Sequence, residues 1–524
     1  MTFLLKNKFH QSLSETLYNE ILSRRSNYYY FIGKAVEWAN PSVPDTPDAT
    51  QDYEYDTRNN ILAVKRITVN DVSLVTTRVD WAANTVYDKY DGDYSASYPA
   101  FSGATNIKDA NYYVLTSTFN VYKCIFNNNN AQSTVEPSGS DPTPLTTADG
   151  YVWKYLYTIP LSLRNRFLTS AYMPVQRAVT NAFYSNGQIS SIVIDNAGNN
   201  YTNANTTIVV TGNGTGANLS PFINGAGQLQ DIIINAKGIG YTFANLAING
   251  DGSNANAYVN LSVGGLNTLQ SIVELSAING SIYSFRVNNV GSGYSYANVV
   301  VAGDGSNFVG NVILTNNTVN YIAVTNPGVG YTYANVSITG DGANANVSAI
   351  LSPYGGHGKD AISELNADTI MLTTTINNDK NHNLTVNNDY RQFGIIKDLI
   401  GYNSTSSFAN VNGSGAFLVS MDTITGLDRD LILSHSASGS TRYFEIIEYR
   451  ADTKQLLLSN LNNHELEAND VLTDITTNLN YVVVSVNKTP DINKFSGDLL
   501  FIDNRTSVSY NDQQLVTLRT VIKL

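Results

Sequence analysis

The chain has 524 residues and a formal net charge of −12, and only 14% of its residues are charged. The length predicts two to four domains. The acidic balance, with no Lys/Arg cluster, argues against a nucleic-acid groove and an anionic membrane surface; so little charge suits a surface covered in an assembly.

Ser12 and Glu15 have the spacing of a capping box. Leu13, Leu17 and Ile21 then repeat at helical intervals, with Tyr18 and Leu22 beside them, which predicts a helix ending near Arg24 and Arg25. The three-residue apolar run Phe3 to Leu5 is too short for a signal peptide, and no segment approaches the ~18 apolar residues of a membrane span. The expectation is a protein kept in the cytoplasm until assembled. Tyr28 to Ile32 reads as a strand, 41–47 as a Pro/Asp loop and 53–64 as a second helix. From Ile67 the pattern turns to β. Val121 to Phe126 reads as a strand with its turn at Asn127 to Asn130. The single cysteine, Cys124, lies in that run and reads as a buried small hydrophobe, with no disulfide or cysteine metal site open to it. A polar loop from Glu136 to Gly150 leads to a strand from Tyr151 to Ile159.

Near Ala182 the composition shifts to Asn, Gly, Thr and Ala, and a repeat begins. Its fullest copy runs from Gly238 to Gly252. Others start at Gly291 and Gly328, and a degenerate one at Gly198. The repeat tyrosines are Tyr201, Tyr241, Tyr294 and Tyr331. Each unit reads as strand, Gly-x-Gly-Tyr turn, strand, Gly-Asp-Gly turn, strand. Gly240, Gly293 and Gly330 supply positive φ at the turns. A unit this small cannot bury a face alone, so the copies should stack or pair. Beyond Leu351 come a glycine-dense turn at 352–360, a short helix at 361–365, and a β-rich stretch whose strands include 443–449, 456–458 and 481–486. A final strand is expected at 515–522.

The expected fold is mainly β: multidomain, with antiparallel β-sandwich or barrel modules, one or two short N-terminal helices and an inserted β-repeat domain. The predicted boundaries are 1–182 for the N-terminal part of a core, 183–351 for the insert, 352–401 with 495–524 for the rest of the core, and 402–494 for a small sandwich or barrel.

The histidines are His10, His357, His382, His435 and His464, and none has a second His or Cys at ligand spacing. His357, within Gly355 to Gly358, admits two readings: an anion cradle with an acid–base imidazole, or a tight turn with a locally packed ring. The Gly-Asp-Gly turns, and likewise Asp91 to Asp93, carry too few carboxylates for calcium and read as turn chemistry. The pairs Tyr241/Phe243, Tyr294/Tyr296 and Tyr331/Tyr333 would share a strand face if extended, as a sugar-stacking row or a core seam. No catalytic, cofactor or metal residue is assigned.

Four stretches far apart remain: Arg78 to Trp81, Asp149 to Leu156, Asp389 to Asp398 and Ser496 to Arg505. With Lys8-Phe9, Trp38, Val86 to Asp88, Tyr122 to Cys124 and Glu136-Pro137, and in this order, they resemble the gene-product-eight family of baseplate wedge proteins of T-even-like contractile-tailed phages. The motif residues are Arg78, Trp81, Tyr151, Trp153, Tyr390, Arg391, Asp503 and Arg505. The resemblance implies a non-enzymatic virion subunit of the tail baseplate, largely β and homodimeric. Its partners would be other wedge proteins, similar to gene products six, seven and ten, without nucleic acid, membrane or cofactor. The repeats at 183–351 lie outside the family's pattern. A glycan- or receptor-binding adhesin and a β-solenoid polysaccharide hydrolase are the alternatives.

Overall fold

The computed structural model describes residues 2–23, 26–176, 187–241, 243–261, 269–377, 389–437, 439–461, 465–509 and 515–523. The fold is mainly β, with several antiparallel sheets. The chain forms two compact units, one of Met1–Glu15, Ser73–Ile370 and Lys523–Leu524, the other of Thr16–Val72 and Met371–Ile522. The expected boundary at 182/183 lies outside the described residues, as do His382 and His464.

In the first unit, a sheet orders Tyr113–Leu115, Asn120–Asn127, Tyr151–Thr158 and Leu145–Thr146 side by side. The turn after Asn127 works because Asn128, Asn129 and Asn130 all take positive φ (46°, 55° and 64°), a region asparagine enters more readily than most residues. One face of this sheet buries Val114, Tyr122, Cys124, Tyr151 and Trp153, with Trp81 packed at its margin.

The repeats build two modules with the same three ribbon pairings, and in the first an added bridge between Asn245 and Tyr258 joins two ribbons into one sheet. In the first, Ile189–Asn199 pairs with Ser253–Leu261, Thr207–Gly212 with Ala244–Asn249, and Thr215–Ile223 with Leu229–Ile239. In the second, Ile282–Ser292 pairs with Ala343–Leu351, Ala297–Gly303 with Ala334–Gly340, and Ser306–Thr315 with Thr318–Val329. The first strand of one repeat thus pairs with the last of the other, the second with the second, and the third with the first. Each ribbon touches both others in its module, so the three enclose one core. Pairing supplies each repeat with the hydrophobic partner it lacks alone. Between the modules, the helix Leu269–Leu275 inserts Val273, fully buried, beside Tyr151 and Trp153. The stretch 183–351 therefore contains two separate cores and a helix belonging to a third.

In the second unit, a five-stranded sheet has the order Asn412–Ser414, Ile61–Arg66, Tyr28–Gly33, Asp389–Lys397, Asp498–Ser509. A closed six-stranded barrel follows between Ala416 and Lys488, its interior filled by Phe417, Val419, Leu433, Phe444, Ile446 and Leu458. Ala35, Leu62, Leu418, Ile447 and Leu457 seal barrel against sheet.

Two helix boundaries differ from expectation. The N-terminal helix runs Thr2–Ser23, because nothing in 2–11 breaks it; Ser12 is interior, and Glu15 accepts from Gln11 one turn earlier at 3.1 Å. The second helix is Gln51–Asn60, capped by Thr50, and gives way to strand at Ile61. Ile61 to Val64 are all buried in a central strand, and that burial outweighs helical continuation.

Candidate functional site

The glycine-dense turn at 352–360 borders a cavity of about 650 Å³ in the first unit, lined among others by Tyr90, Glu274, Tyr354, Lys359 and Glu364. The turn does cradle an anion, and that anion belongs to the protein. The Gly358 amide donates to both oxygens of Glu364, at 2.8 and 3.0 Å, and the Asp360 amide donates to Oε1 at 3.1 Å. Glu364 sits in the short helix Ala361–Glu364, whose N-cap, Asp360, accepts from the Ile362 and Ser363 amides. Lys123 reaches Glu364 from the middle of its strand, and both side chains are almost wholly buried. The Lys123 ammonium also lies 4.4 Å from the centre of the Tyr90 ring. Burial pulls the Lys123 pKa down and Glu364 opposes the shift.

His357 packs edge-on to Tyr90 and Tyr283, at 5.2 and 5.7 Å between ring centres. Burial, then the nearby Lys123 and Lys154, holds its pKa well below the usual imidazole value. Its Nδ1 has no hydrogen-bond partner among the described residues. The ring is therefore neutral and packed, which is the tight-turn reading. Burial also lowers Lys154 to about 8, with Glu364 opposing. The sequence reading missed Lys123, Lys154 and Glu364. The available signal was a lysine inside each of two apolar strand runs, since a buried cation needs a partner.

The four distant stretches fall two to each unit. In the first, Asp80 bridges Leu115 and the Trp81 indole donates to Ser133 Oγ at 3.1 Å. Arg78 pairs with Asp80 at 2.8 Å and donates to the Thr169 carbonyl at 2.9 Å. Tyr151 and Trp153 stack at 5.4 Å. In the second, Asp389–Lys397 pairs along its length with Asp498–Ser509. Tyr390 and Arg391 are buried there, and Arg391 donates to the Ala35 carbonyl, with Asp389 at 3.4 Å and Glu37 at 3.7 Å. Arg505 pairs with Asp503 at 2.7 Å but is 58% exposed, and its backbone carbonyl accepts from the Trp38 indole at 2.7 Å.

At the repeat turns, Gly240, Gly293 and Gly330 have φ of 78°, 81° and 82°. Tyr241, Tyr294 and Tyr331 are buried, whereas Phe243, Tyr296 and Tyr333 are 57%, 60% and 55% exposed. The shared-face arrangement is thus corrected: these segments turn, and the two aromatics point opposite ways. The repeats hold each other's turns: at the Tyr241 turn the Phe243 amide donates to Asn213 Oδ1 at 3.3 Å, and at the other three an aspartate takes that place. The Asp251 carboxylate accepts from Thr202, Asp304 from Thr332, and Asp341 from Ser295. Each donor follows the repeat tyrosine of the other copy. These hydroxyls lead in holding Asp251 and Asp341 at about 2, and Asp304 below the usual carboxylate value. The last glycine of each Gly-Asp-Gly turn lies against the other copy's tyrosine ring: Gly252 on Tyr201, Gly305 on Tyr331 and Gly342 on Tyr294.

Among the described residues, no group of three or more His, Cys, Asp or Glu side chains could hold a metal ion, and no described helix is long and apolar enough to cross a membrane. No protein-family model and no curated protein sequence matches the chain.

Proposed function

We propose that the chain is a structural subunit of a contractile phage tail, a homodimer built into a baseplate wedge with other wedge proteins and acting by assembly rather than catalysis. The observation that carries the reading is the ordered set of four motifs resembling the gene-product-eight family. Four of their residues are engaged in the two cores: Tyr151 stacks on Trp153, and Tyr390 and Arg391 are buried where their strand meets the one bearing Asp503. A second support is the use made of the buried ionisable groups beside the cavity. Glu364 is taken up by Lys123 and two backbone amides, and His357 is packed and neutral. These groups maintain the fold and present no free acid–base pair. An assembly subunit works through surface complementarity and needs no catalytic constellation.

Light scattering of the purified chain should give the mass of a dimer, and antibody labelling of intact particles should place it at the baseplate end of the tail. A stable monomer that turns over a polysaccharide, or labelling away from the tail, would remove this reading.

A further inference from the structure

The middle ribbon of each repeat module has an outward face that the core does not use. In the second module, alternate residues Tyr296, Asn298, Val300 and Ala302 on one strand side are exposed, as are Tyr333, Asn335, Ser337 and Thr339 on the other. The register sets Asn298 opposite Thr339, Val300 opposite Ser337, and Ala302 opposite Asn335. The residues between them, such as Val299, Val301, Val336 and Ile338, pack inward. A tyrosine therefore stands at each end of a platform of small amide, hydroxyl and methyl groups, about 20 Å long and two strands wide. The first module repeats the plan: Phe243, Asn245 and Asn249 are exposed on one strand, and Thr207, Val209 and Thr211 on its partner.

The fold does not ask for these aromatics. The turn needs the buried tyrosine, the hydroxyl that reaches the other copy's aspartate, and the glycines. The position after the hydroxyl residue is exposed, and in the degenerate copy it is Asn203, whose side-chain amide instead bonds the Ile223 backbone, donating to its carbonyl at 3.2 Å and accepting from its amide at 2.8 Å. The other three copies nonetheless put Phe243, Tyr296 and Tyr333 there, each more than half exposed. Neither platform carries a charged side chain along its strands. The Asp251, Asp304 and Asp341 carboxylates stand at the turns beyond the strand ends, already committed to Thr and Ser hydroxyls.

We propose that these two ribbon faces bind a neutral polysaccharide. Flat aromatic rings stack on the apolar faces of sugar rings, while amides and hydroxyls between them exchange hydrogen bonds with sugar hydroxyls. The uncharged surface with an acidic rim fits an uncharged glycan and disfavours an anionic one. The elongated platform fits a chain rather than a single sugar. This inference concerns the repeat modules and does not depend on the baseplate reading.

The test uses the full-length chain on immobilised neutral hexose and N-acetylhexosamine oligomers, with sulfated and uronic-acid oligomers as the charged set. Neutral oligomers should bind and charged ones should not. The combined substitution Phe243→Ala, Tyr296→Ala and Tyr333→Ala should weaken binding by about tenfold or more. Its melting temperature should stay unchanged, because the three rings are exposed. Tyr296→Trp should retain binding. The proposal is overturned if no neutral oligomer binds, if charged oligomers bind better, or if the triple variant binds as tightly as the parent. It is equally overturned if the triple variant's only change is loss of self-association, which would assign the faces to a second copy.

Discussion

Arg391 and Arg505 occupy strands that pair with each other, yet their surroundings set different consequences. Arg391 is 5% exposed and its guanidinium reaches a backbone carbonyl, so Arg391→Ala leaves a buried acceptor unpaired. A loss of about 2–3 kcal/mol is expected in urea denaturation. Arg505→Ala removes a largely exposed pair and should change stability by at most about 0.5 kcal/mol. Equal effects would contradict the burial assigned to the two. The glycines separate in the same way. Gly293 has only Gly342 Cα near a would-be Cβ, at 3.8 Å, so Gly293→Ala costs the left-handed conformation alone, about 1–2 kcal/mol. A Cβ on Gly342 would meet the Tyr294 ring, so Gly342→Ala must displace the module's core tyrosine and should cost more. Melting of both variants decides it, and a milder Gly342→Ala would sink the proposed ring contact. The positive φ before each repeat tyrosine was legible because the Gly-x-Gly-Tyr pattern has a local cause. The ring contacts were not, because they join residues of two different copies and no local rule links them. Glu364 and Lys123 were hidden for the same reason.

At the scale of elements, the barrel and the sheet of the second unit enclose two ionisable side chains. Lys494 is buried and donates to the Asn59 carbonyl at 2.8 Å and to Ser459 Oγ at 3.1 Å. Glu445 lies across the strand pair from Ser459, and its Oε1 has no hydrogen-bond partner among the described residues. Burial raises Glu445 from 4.5 to about 7, with Lys494 opposing. Burial lowers Lys494 from 10.5 to about 7, with Glu445 opposing. Because the folded pKa of Glu445 is raised, its contribution is complete below 4.5 and lost as pH rises through about 7. Because that of Lys494 is depressed, its contribution is complete above 10.5 and lost as pH falls through about 7. Together they are weakest near neutral pH. Lys494→Met should abolish the rise in stability between pH 7 and 9 that these groups give the parent. Parallel melting profiles for parent and variant across that window would rule this out. The strands around this pair were readable from runs such as 443–449 and 481–486. The helix reading of 53–64 failed at Ile61, because a four-residue apolar run fits helix and buried strand alike, and only the neighbouring strands decide.

For the whole molecule, the stretch 183–351 divides more finely than its composition suggested. Its first module, 189–261, has its own core, and its strands pair only within it among the described residues. The second is tied to the sheet that bears Trp153 by Phe126 against Tyr321 at 5.4 Å, and to the loop at 89–91 by Arg286 with Asp91 at 2.5 Å and Lys89 with the Phe285 carbonyl at 2.6 Å. The helix between the modules gives Val273 to that sheet's core. Replacing 189–261 by a Gly/Ser linker should leave a soluble, cooperatively melting remainder, since a surface insertion costs little loop entropy. Val273→Ala, by contrast, should cost about 1–3 kcal/mol by opening a cavity beside Trp153. An insoluble or molten linker variant would count against the first module's independence.

The exchange between paired repeats also constrains how such a chain can grow or shrink over generations. Every strand of one copy is completed by the other, and an aspartate at one copy's turn is held by its neighbour's hydroxyl. A gene that gained or lost a single copy would encode three strands without mates and a turn without its clasp. The heritable unit is therefore the pair, and viable length variants of this region should differ by whole modules, never by one repeat.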